Sequence, residues 1–329
     1  MAWEQFRLPQ SAALPAVKLE GLPPLKLARS DTAATVTGKD FAVGIDTAQG
    51  LITSLKYKDT ELIQQPLRPH FWRAPTDNDR GNGMPNRCGI WRNAHRSWKV
   101  QTVSVDQPNP RHVRCAVGAA LPDVDAQYDL TYDIFADGRI VVAGRFTPGQ
   151  KKLPELPRFG MQMALPAGFE TLTWYGRGPY ETYCDRNDAW INVFTGKVAE
   201  QFFADYTEPG ESGNKVDVRW VALTNRDGVG LLAAGLPLLS VNALHHATAD
   251  LEGPKHPYEI PYRDFVTLNL DLMQMGVGGD NSWGATPHEQ YRLMPKPYNY
   301  RFCLRPFSPA DGSPKELARQ CRAGMSDRP

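Results

Sequence analysis

The sequence predicts an all-β protein in which two large antiparallel sheets pack face to face. Apolar and polar residues alternate with a period of two along more than ten segments, which is the pattern of half-buried strands. The 28 glycines and 28 prolines among 329 residues exceed average usage and indicate many turns between short elements. The single helical candidate is modest and covers residues 317–323.

The first strands follow a segment of different composition. The first 27 residues are rich in Pro and Leu, which predicts an extended strap rather than a helix. Beyond it, alternating residues 41–45 and 51–55 flank a turn at 46–50. This arrangement predicts a β-hairpin.

The later strands are predicted by the same alternation. Residues 126–134 and 140–142 flank an Asp-Gly turn, which predicts a second hairpin. Residues 216–222, 266–272 and 298–304 each place their apolar side chains on one face, and the last of these is the predicted final strand. No internal repeat is present.

Composition excludes several functional classes. The 37 Lys and Arg residues nearly balance the 36 Asp and Glu residues, so no basic field attracts nucleic acid or an anionic membrane. An apolar content of 41% is enough for a core and excludes a wholly disordered chain. No apolar run approaches the roughly 20 residues that a membrane-spanning helix needs.

The cysteines indicate the compartment. Five cysteines are an odd number without a C-x-x-C pair, which argues against a disulfide framework and a zinc ribbon. No apolar signal segment is visible at the start. We therefore expect a cytoplasmic protein, or a periplasmic one if an upstream signal peptide has been removed.

Two further sequence patterns resemble binding motifs but predict neither a dinucleotide site nor a metal site. Residues 228–233 match the letters of a dinucleotide fingerprint, but a strand rather than a helix follows, so no helix N-terminus can receive a pyrophosphate. His245 and His246 point to opposite faces if they lie on a strand, so they do not form a shared metal site. We expect no metal or cofactor in this chain.

A polar loop at residues 71–83 breaks the alternation. Its Arg73, Asp77, Asn78 and Asp79 offer a guanidinium, two carboxylates and an amide, which are groups that bind sugar hydroxyls. Asp and Asn also cap their own backbone in ordinary turns. The residue types alone leave both interpretations open.

A second loop at residues 276–284 carries an aromatic residue. Trp283 follows a glycine-rich stretch whose backbone freedom can project the indole beyond the sheet, while Asp280 and Asn281 set the loop by local hydrogen bonds. An indole on such a loop can stack on a sugar, or it can cover the core. The sequence leaves these two roles open.

These loops belong to a set of five motifs, namely AWEQF (2–6), FWRAPTDNDRG (71–81), YGRGPYE (175–181), PGESG (209–213) and QMGVGGDNSW (274–283). Together they resemble the C-terminal domain of the large bacterial β-galactosidases of glycoside hydrolase family 2, which in some species is a separate small subunit. The match runs from about residue 2 to residue 305. The resemblance implies three regions: a strap at 1–27 that ends an immunoglobulin-like domain or is a linker, a domain at 28–306, and a tail at 307–329.

The resemblance also implies a function. It implies a galactose mutarotase-like supersandwich in which Trp283, Asp280 and Asn281 bind the substrate, while Arg73, Asp77, Asn78 and Asp79 lie on a loop that borders the active site. The two catalytic glutamates of the family lie on a TIM barrel, and this chain has no repeating β/α pattern and so carries no catalytic residue.

The implied partners lie outside this chain. They are a catalytic TIM-barrel domain or large subunit and a galactoside, in an enzyme that is oligomeric when complete. Mg and Na are implied at sites on other domains. Two other functions stay open: a carbohydrate-binding module that uses the same tryptophan without a barrel, and a free-standing aldose epimerase, which needs a Glu and a His near the sugar.

Overall fold

The computed structural model describes residues 5–6, 14, 18–281 and 283–326. In this part of the chain there are seventeen strands and three α-helices. The strands are β1 Lys26–Arg29, β2 Ala33–Thr37, β3 Phe41–Asp46, β4 Leu51–Tyr57, β5 Thr60–Glu61, β6 Gln65–His70, β7 Lys99–Asn109, β8 His112–Leu121, β9 Ala126–Phe135, β10 Ile140–Pro148, β11 Arg158–Pro166, β12 Thr171–Gly178, β13 Trp190–Lys197, β14 Lys215–Thr224, β15 Gly230–Leu244, β16 Phe265–Gln274 and β17 Tyr298–Phe307. The helices are α1 Asp77–Gly81, α2 Met84–Arg87 and α3 Pro314–Ser326.

The strands form two antiparallel sheets. The smaller sheet has five strands in the order β1-β2-β3-β4-β5, and the larger has twelve. Nine strands of the larger sheet follow the order β13-β12-β14-β15-β17-β10-β9-β8-β7. The predicted all-β, antiparallel class is confirmed.

The larger sheet branches at its longest strand, β15. Residues 230–236 of this strand pair with β17, whereas residues 240–244 pair with β16. From β16 the branch continues through β11 to β6. Because one strand belongs to both parts, the branch and the main sheet are held together by backbone hydrogen bonds.

One hydrophobic core joins all of these parts. Ile52 of the smaller sheet, Leu130 of the main path and Met161 of the branch are fully buried in the same cluster. Aromatic rings fill the interior, with ring centroids of Phe71 and Phe159 6.1 Å apart. The alternation seen in the sequence places these apolar side chains on the inner faces.

The predicted hairpins are confirmed. β3 and β4 pair across the turn at residues 46–50, and β9 pairs with β10 so that Ile134 lies opposite Ile140. The turn between β9 and β10 needs a glycine, since Gly138 has a φ of 85°, in the left-handed region that side chains disfavour.

The predicted helix at residues 317–323 is also confirmed and extends to the full length of α3. Its apolar face, which includes Leu317, Cys321 and Met325, is buried against Leu232 and Phe307 of the sheet. The region that the sequence set apart as a tail therefore forms a second, smaller core on the outer face of the main sheet. The proposed limits of the domain stay a prediction.

Two short helices were not predicted. α1 lies inside the polar loop at 71–83, and α2 follows it. Each is too short to show a helical period, so local capping is the main signal. For α1 this is a capping box, in which Thr76 Oγ1 accepts from the Asp79 amide at 3.2 Å and Asp79 Oδ2 accepts from the Thr76 amide at 3.1 Å.

About half of the strap at residues 1–27 lies outside the described residues. Within it, the Gln5 side chain both donates to and accepts from the backbone of Ile191 on β13, at 3.1 and 2.8 Å. None of the described helices is long and apolar enough to cross a membrane.

Candidate functional site

Three of the loop motifs meet at a single cleft. The cleft has a volume of about 440 Å³ and lies where α1, the segment after β12, the segment before β14 and the loop after β16 come together. The residues that line it are Thr76, Asp77, Asn78, Tyr183, Asp185, Arg186, Tyr206, Glu208, Gly210, Glu211, Val277 and Gly278. We call this the motif cleft.

Arg73 clamps two of these loops together from inside. Its side chain is fully buried and makes a two-point ion pair with Asp79, with N–O distances of 3.0 and 2.8 Å. It also donates to the carbonyl oxygens of Met275 and Gly276, the latter at 2.8 Å. Arg73 therefore ties the loop at 71–83 to the loop after β16.

This burial divides the predicted border residues into two kinds. Arg73 and Asp79 are at most 1% exposed, so their side chains hold the loop and do not face a ligand. Asp77 is half exposed and faces the cleft, and Asn78 lines it while donating to the Val277 carbonyl at 2.8 Å. The ordinary capping role predicted for such residues applies to Asp79, because it caps α1.

Trp283 lies on the outside of the second loop. Its side chain is 61% exposed and packs on Gly81, where an added Cβ would come within 2.7 Å of the indole. Asn281 Oδ1 accepts from the backbone amides of Trp283 and Ala285 at 3.1 and 3.0 Å, so this side chain sets the loop. Asp280 pairs with His288 at 2.6 Å.

The glycines that precede Asp280 in this loop are required for a reason other than the predicted backbone freedom. None of the three, Gly276, Gly278 and Gly279, has a left-handed φ, so their backbone conformation does not require glycine. Close approach requires it instead: an added Cβ on Gly276 would lie 2.5 Å from an Asp185 oxygen, and one on Gly279 would lie 2.6 Å from the Ala285 carbonyl.

The segment at residues 181–186 supplies site residues that sequence reasoning missed. Asp185 Oδ2 accepts from the amides of Val277 and Gly278, both at 2.8 Å, and so fixes the loop after β16 from the other side. Tyr183 is buried, and burial holds the pKa of its phenol well above the usual range. The YGRGPYE motif, quoted above only for the resemblance, was the signal for this segment.

A buried polar network supports the cleft from below. Arg158 is fully buried between Glu211 and Asp271, with N–O distances of 2.9 and 3.3 Å. Gln274 and Asn242 also donate to Glu211, at 3.0 and 3.3 Å. Because Glu211 belongs to the PGESG motif, the network anchors that motif on β11 and β16.

Asp271 is the most perturbed acid of this network. Burial, together with the nearby charge of Glu211, raises its pKa to about 8 against the opposing effect of Arg158. The alternation along β16 had indicated that Thr267, Asn269 and Asp271 share a face. That face is buried under loops instead of facing water, which the strand pattern alone could not distinguish.

The adjacent residues His245 and His246 bind different partners. His245 pairs with Glu170 at 2.8 Å, whereas His246 bonds to the Pro261 carbonyl at 3.0 Å, so the two rings have separate partners. Over residues 5–6, 14, 18–281 and 283–326, no group of three His, Cys, Asp or Glu residues is arranged to hold a metal ion.

Comparison with known proteins identifies the family of this chain. The model of the family described as "Beta galactosidase small chain" matches residues 37–304. The chain belongs to the β-galactosidase small chain family. The match confirms that the motifs resemble those of β-galactosidases.

Curated relatives agree with the family. A β-galactosidase from Priestia megaterium is 41% identical over 308 residues, which cover 93% of this chain and 29% of the relative. A β-galactosidase from Halalkalibacterium halodurans is 36% identical and is matched over 82% of this chain and 27% of its own length. The chain therefore spans less than a third of the length of the curated relatives it matches.

Solved structures with a similar shape have much lower identity. A putative aldose 1-epimerase from Escherichia coli is 9% identical, with 86% of this chain and 99% of that chain covered and a TM-score of 0.44. A putative mutarotase from Salmonella typhimurium is 11% identical, with 90% and 97% covered and a TM-score of 0.47.

The Arg73 clamp leads to a stability prediction. Arg73→Met leaves the Asp79 carboxylate buried without its cation, so we expect a loss of about 3–5 kcal/mol in the free energy of unfolding, measured by urea denaturation. Arg226→Met is the control, since the Arg226 side chain is 94% exposed and its removal should leave the free energy of unfolding nearly unchanged. Equal losses in the two variants would contradict the clamp.

The raised pKa of Asp271 predicts how the free energy of unfolding depends on pH. Its carboxyl holds a proton up to a pH of about 8 in the folded chain, whereas the unfolded carboxyl titrates near about 4. The folded state binds more protons between these values, so the free energy of unfolding should fall as pH rises towards 8 and then level off.

Asp271→Asn should remove this component of the pH dependence. The stability of the variant relative to the wild type should therefore increase as pH rises from 5 to 8, as measured by urea denaturation at each pH. Parallel curves for the two proteins would show that Asp271 does not titrate in this range.

Proposed function

We propose that this chain is the C-terminal domain or small subunit of a β-galactosidase, and that it completes the active-site cleft for hydrolysis of terminal β-D-galactosides without supplying the catalytic glutamates. The observation that carries the proposal is the family membership of a chain that spans less than a third of its β-galactosidase relatives. Assignment to glycoside hydrolase family 2 and to the mutarotase-like supersandwich belongs to the same proposal and is supported by the shared motifs.

The exposed part of the motif region supports a contact with substrate. Trp283 and Asp77 are exposed on adjoining loops, whereas the residues that hold these loops are buried. An indole packed on the apolar face of a sugar contributes on the order of 1 kcal/mol. Trp283 therefore binds the sugar, Asn281 positions it, and Asp280 lies beside it.

The chemistry of bond cleavage belongs to a partner. Retaining glycosidases need two carboxyl groups about 5 Å apart across the scissile bond, and in the family these lie on a TIM barrel. The partner is therefore a catalytic barrel domain or large subunit, and the complete enzyme is oligomeric. Any Mg or Na would be bound on those other domains.

The two other functions, a carbohydrate-binding module and an aldose epimerase, would require different properties of the chain. A carbohydrate-binding module would use Trp283 without a partner, so sugar binding by the chain alone would favour it. An aldose epimerase needs a Glu and a His together. Glu208 and Glu211 line the motif cleft, but no histidine lines it in the described part of the chain, which argues against that activity there.

The chain alone should be inactive. Because it lacks the carboxylate pair, we expect no hydrolysis of nitrophenyl-β-galactoside above a buffer blank by highly purified protein. Activity that disappears when a glutamate of this chain is replaced would overturn the division of roles.

Trp283→Ala tests the substrate contact in the assembled enzyme. We expect KM to rise several-fold, because the lost packing is on the order of 1 kcal/mol. The thermal melt of the chain alone should barely change, since the side chain is 61% exposed.

Two tryptophans serve as controls for this variant. Trp190→Ala also removes a half-exposed indole, but from β13, and should leave KM unchanged. Trp91 is fully buried, so Trp91→Ala should lose about 3–5 kcal/mol of folding free energy. If Trp283→Ala melts like Trp91→Ala and keeps its KM, then Trp283 is a core residue and the assignment is wrong.

A further inference from the structure

A second cleft lies apart from the motif cleft and carries an uncompensated positive charge. It has a volume of about 270 Å³ and lies between β6 and the 3-10 helix Ala94–Ser97. Two arginines and one histidine line it, namely Arg68, Arg96 and His95, and none of its lining residues is acidic. We call it the basic cleft.

The two guanidinium groups lack the carboxylate partners that the buried Arg73 and Arg158 have. Arg73 and Arg158 are buried and are paired with carboxylates. In the described part of the chain, neither Arg68 nor Arg96 forms an ion pair. Burial and the charge of Arg96 together lower the pKa of Arg68, so the two cations repel each other.

His95 lies within the same field. Its Nδ1 atom is buried and has no hydrogen-bond partner among the described residues. Burial lowers the pKa of His95 to about 4, and the charges of Arg68 and Arg96 act in the same direction. The ring is therefore neutral near pH 7 and can donate one N–H without adding to the charge.

The walls of the basic cleft are held in place. Trp98 donates from Nε1 to the Gln49 carbonyl at 2.9 Å, which joins the end of the 3-10 helix to the β3–β4 turn. Arg68 is on β6, opposite Gln162 of β11 in the branch of the larger sheet. The donors therefore project from ordered elements on both sides of the cleft.

We propose that the basic cleft binds a small oxyanion of the phosphate class, either free or as a compact phosphate monoester. Two planar guanidinium groups match the oxygen geometry of phosphate and make charge-assisted hydrogen bonds to it. A bound dianion removes the repulsion between Arg68 and Arg96. The site shares no residue with the motif cleft, so it does not depend on the function proposed above.

Thermal melts of the full chain test the site. Inorganic phosphate and glycerol 3-phosphate are each compared with chloride at equal ionic strength. We expect at least one of the phosphates to raise the Tm of the wild type by about 2–4 °C at saturation. A response to inorganic phosphate alone assigns the cleft to the free ion, and a response to both assigns it to phosphorylated small molecules as well.

Variants separate binding from the general stabilising effect of phosphate salts. Arg96→Gln, at an exposed position, should lose the phosphate-dependent part of the rise, and in chloride its Tm should equal or exceed that of the wild type because the repulsion is gone. Arg226→Gln makes the same charge change at a side chain that is 94% exposed and should behave like the wild type.

Isothermal titration with inorganic phosphate and with glycerol 3-phosphate gives a second measurement on the same proteins. Saturable binding of either by the wild type and Arg226→Gln, weakened at least tenfold in Arg96→Gln, supports the site. Equal Tm shifts in all three proteins, or no saturable binding of either phosphate, overturn the proposal.

Discussion

The arrangement of the motif cleft depends on the pairing of charges in the interior. A buried guanidinium without a carboxylate is strongly unfavourable, so Arg73 and Arg158 can be buried only where acids meet them. Asp79 meets Arg73, and Glu211 meets Arg158. Asp79 lies in the same loop as Arg73, so the loop after β16 is held by the other bonds of Arg73, to the carbonyls of Met275 and Gly276. Glu211 is far from Arg158 in the chain, so that pair fixes its loop relative to β11.

This pairing separates residues that hold the site from residues that face outward. Hydrogen bonds within the protein engage the side chains of Arg73, Asp79 and Asn281. Trp283 and Asp77 keep most of their surface free. The proposed function requires this division, because a binding surface must be held in shape before its ligand arrives.

The basic cleft differs from the surroundings of Arg73 and Arg158, which are buried and paired with carboxylates. Arg68 and Arg96 stand together without an acid, although 36 acidic residues nearly balance the cations over the whole chain. Net charge thus conceals a local excess. Composition could not show a small pocket that two cations line together.

The sequence by itself determined the fold class, the hairpins and α3, because periods of two and of 3.6 are local properties of neighbouring residues. The motifs also identified the family. Only the tertiary structure decided that three of these motifs share one cleft, that the polar face of β16 is buried, and that Gly276 is needed for close approach to Asp185. Such contacts join residues distant in sequence, and no local pattern records which carboxylate will meet which buried cation.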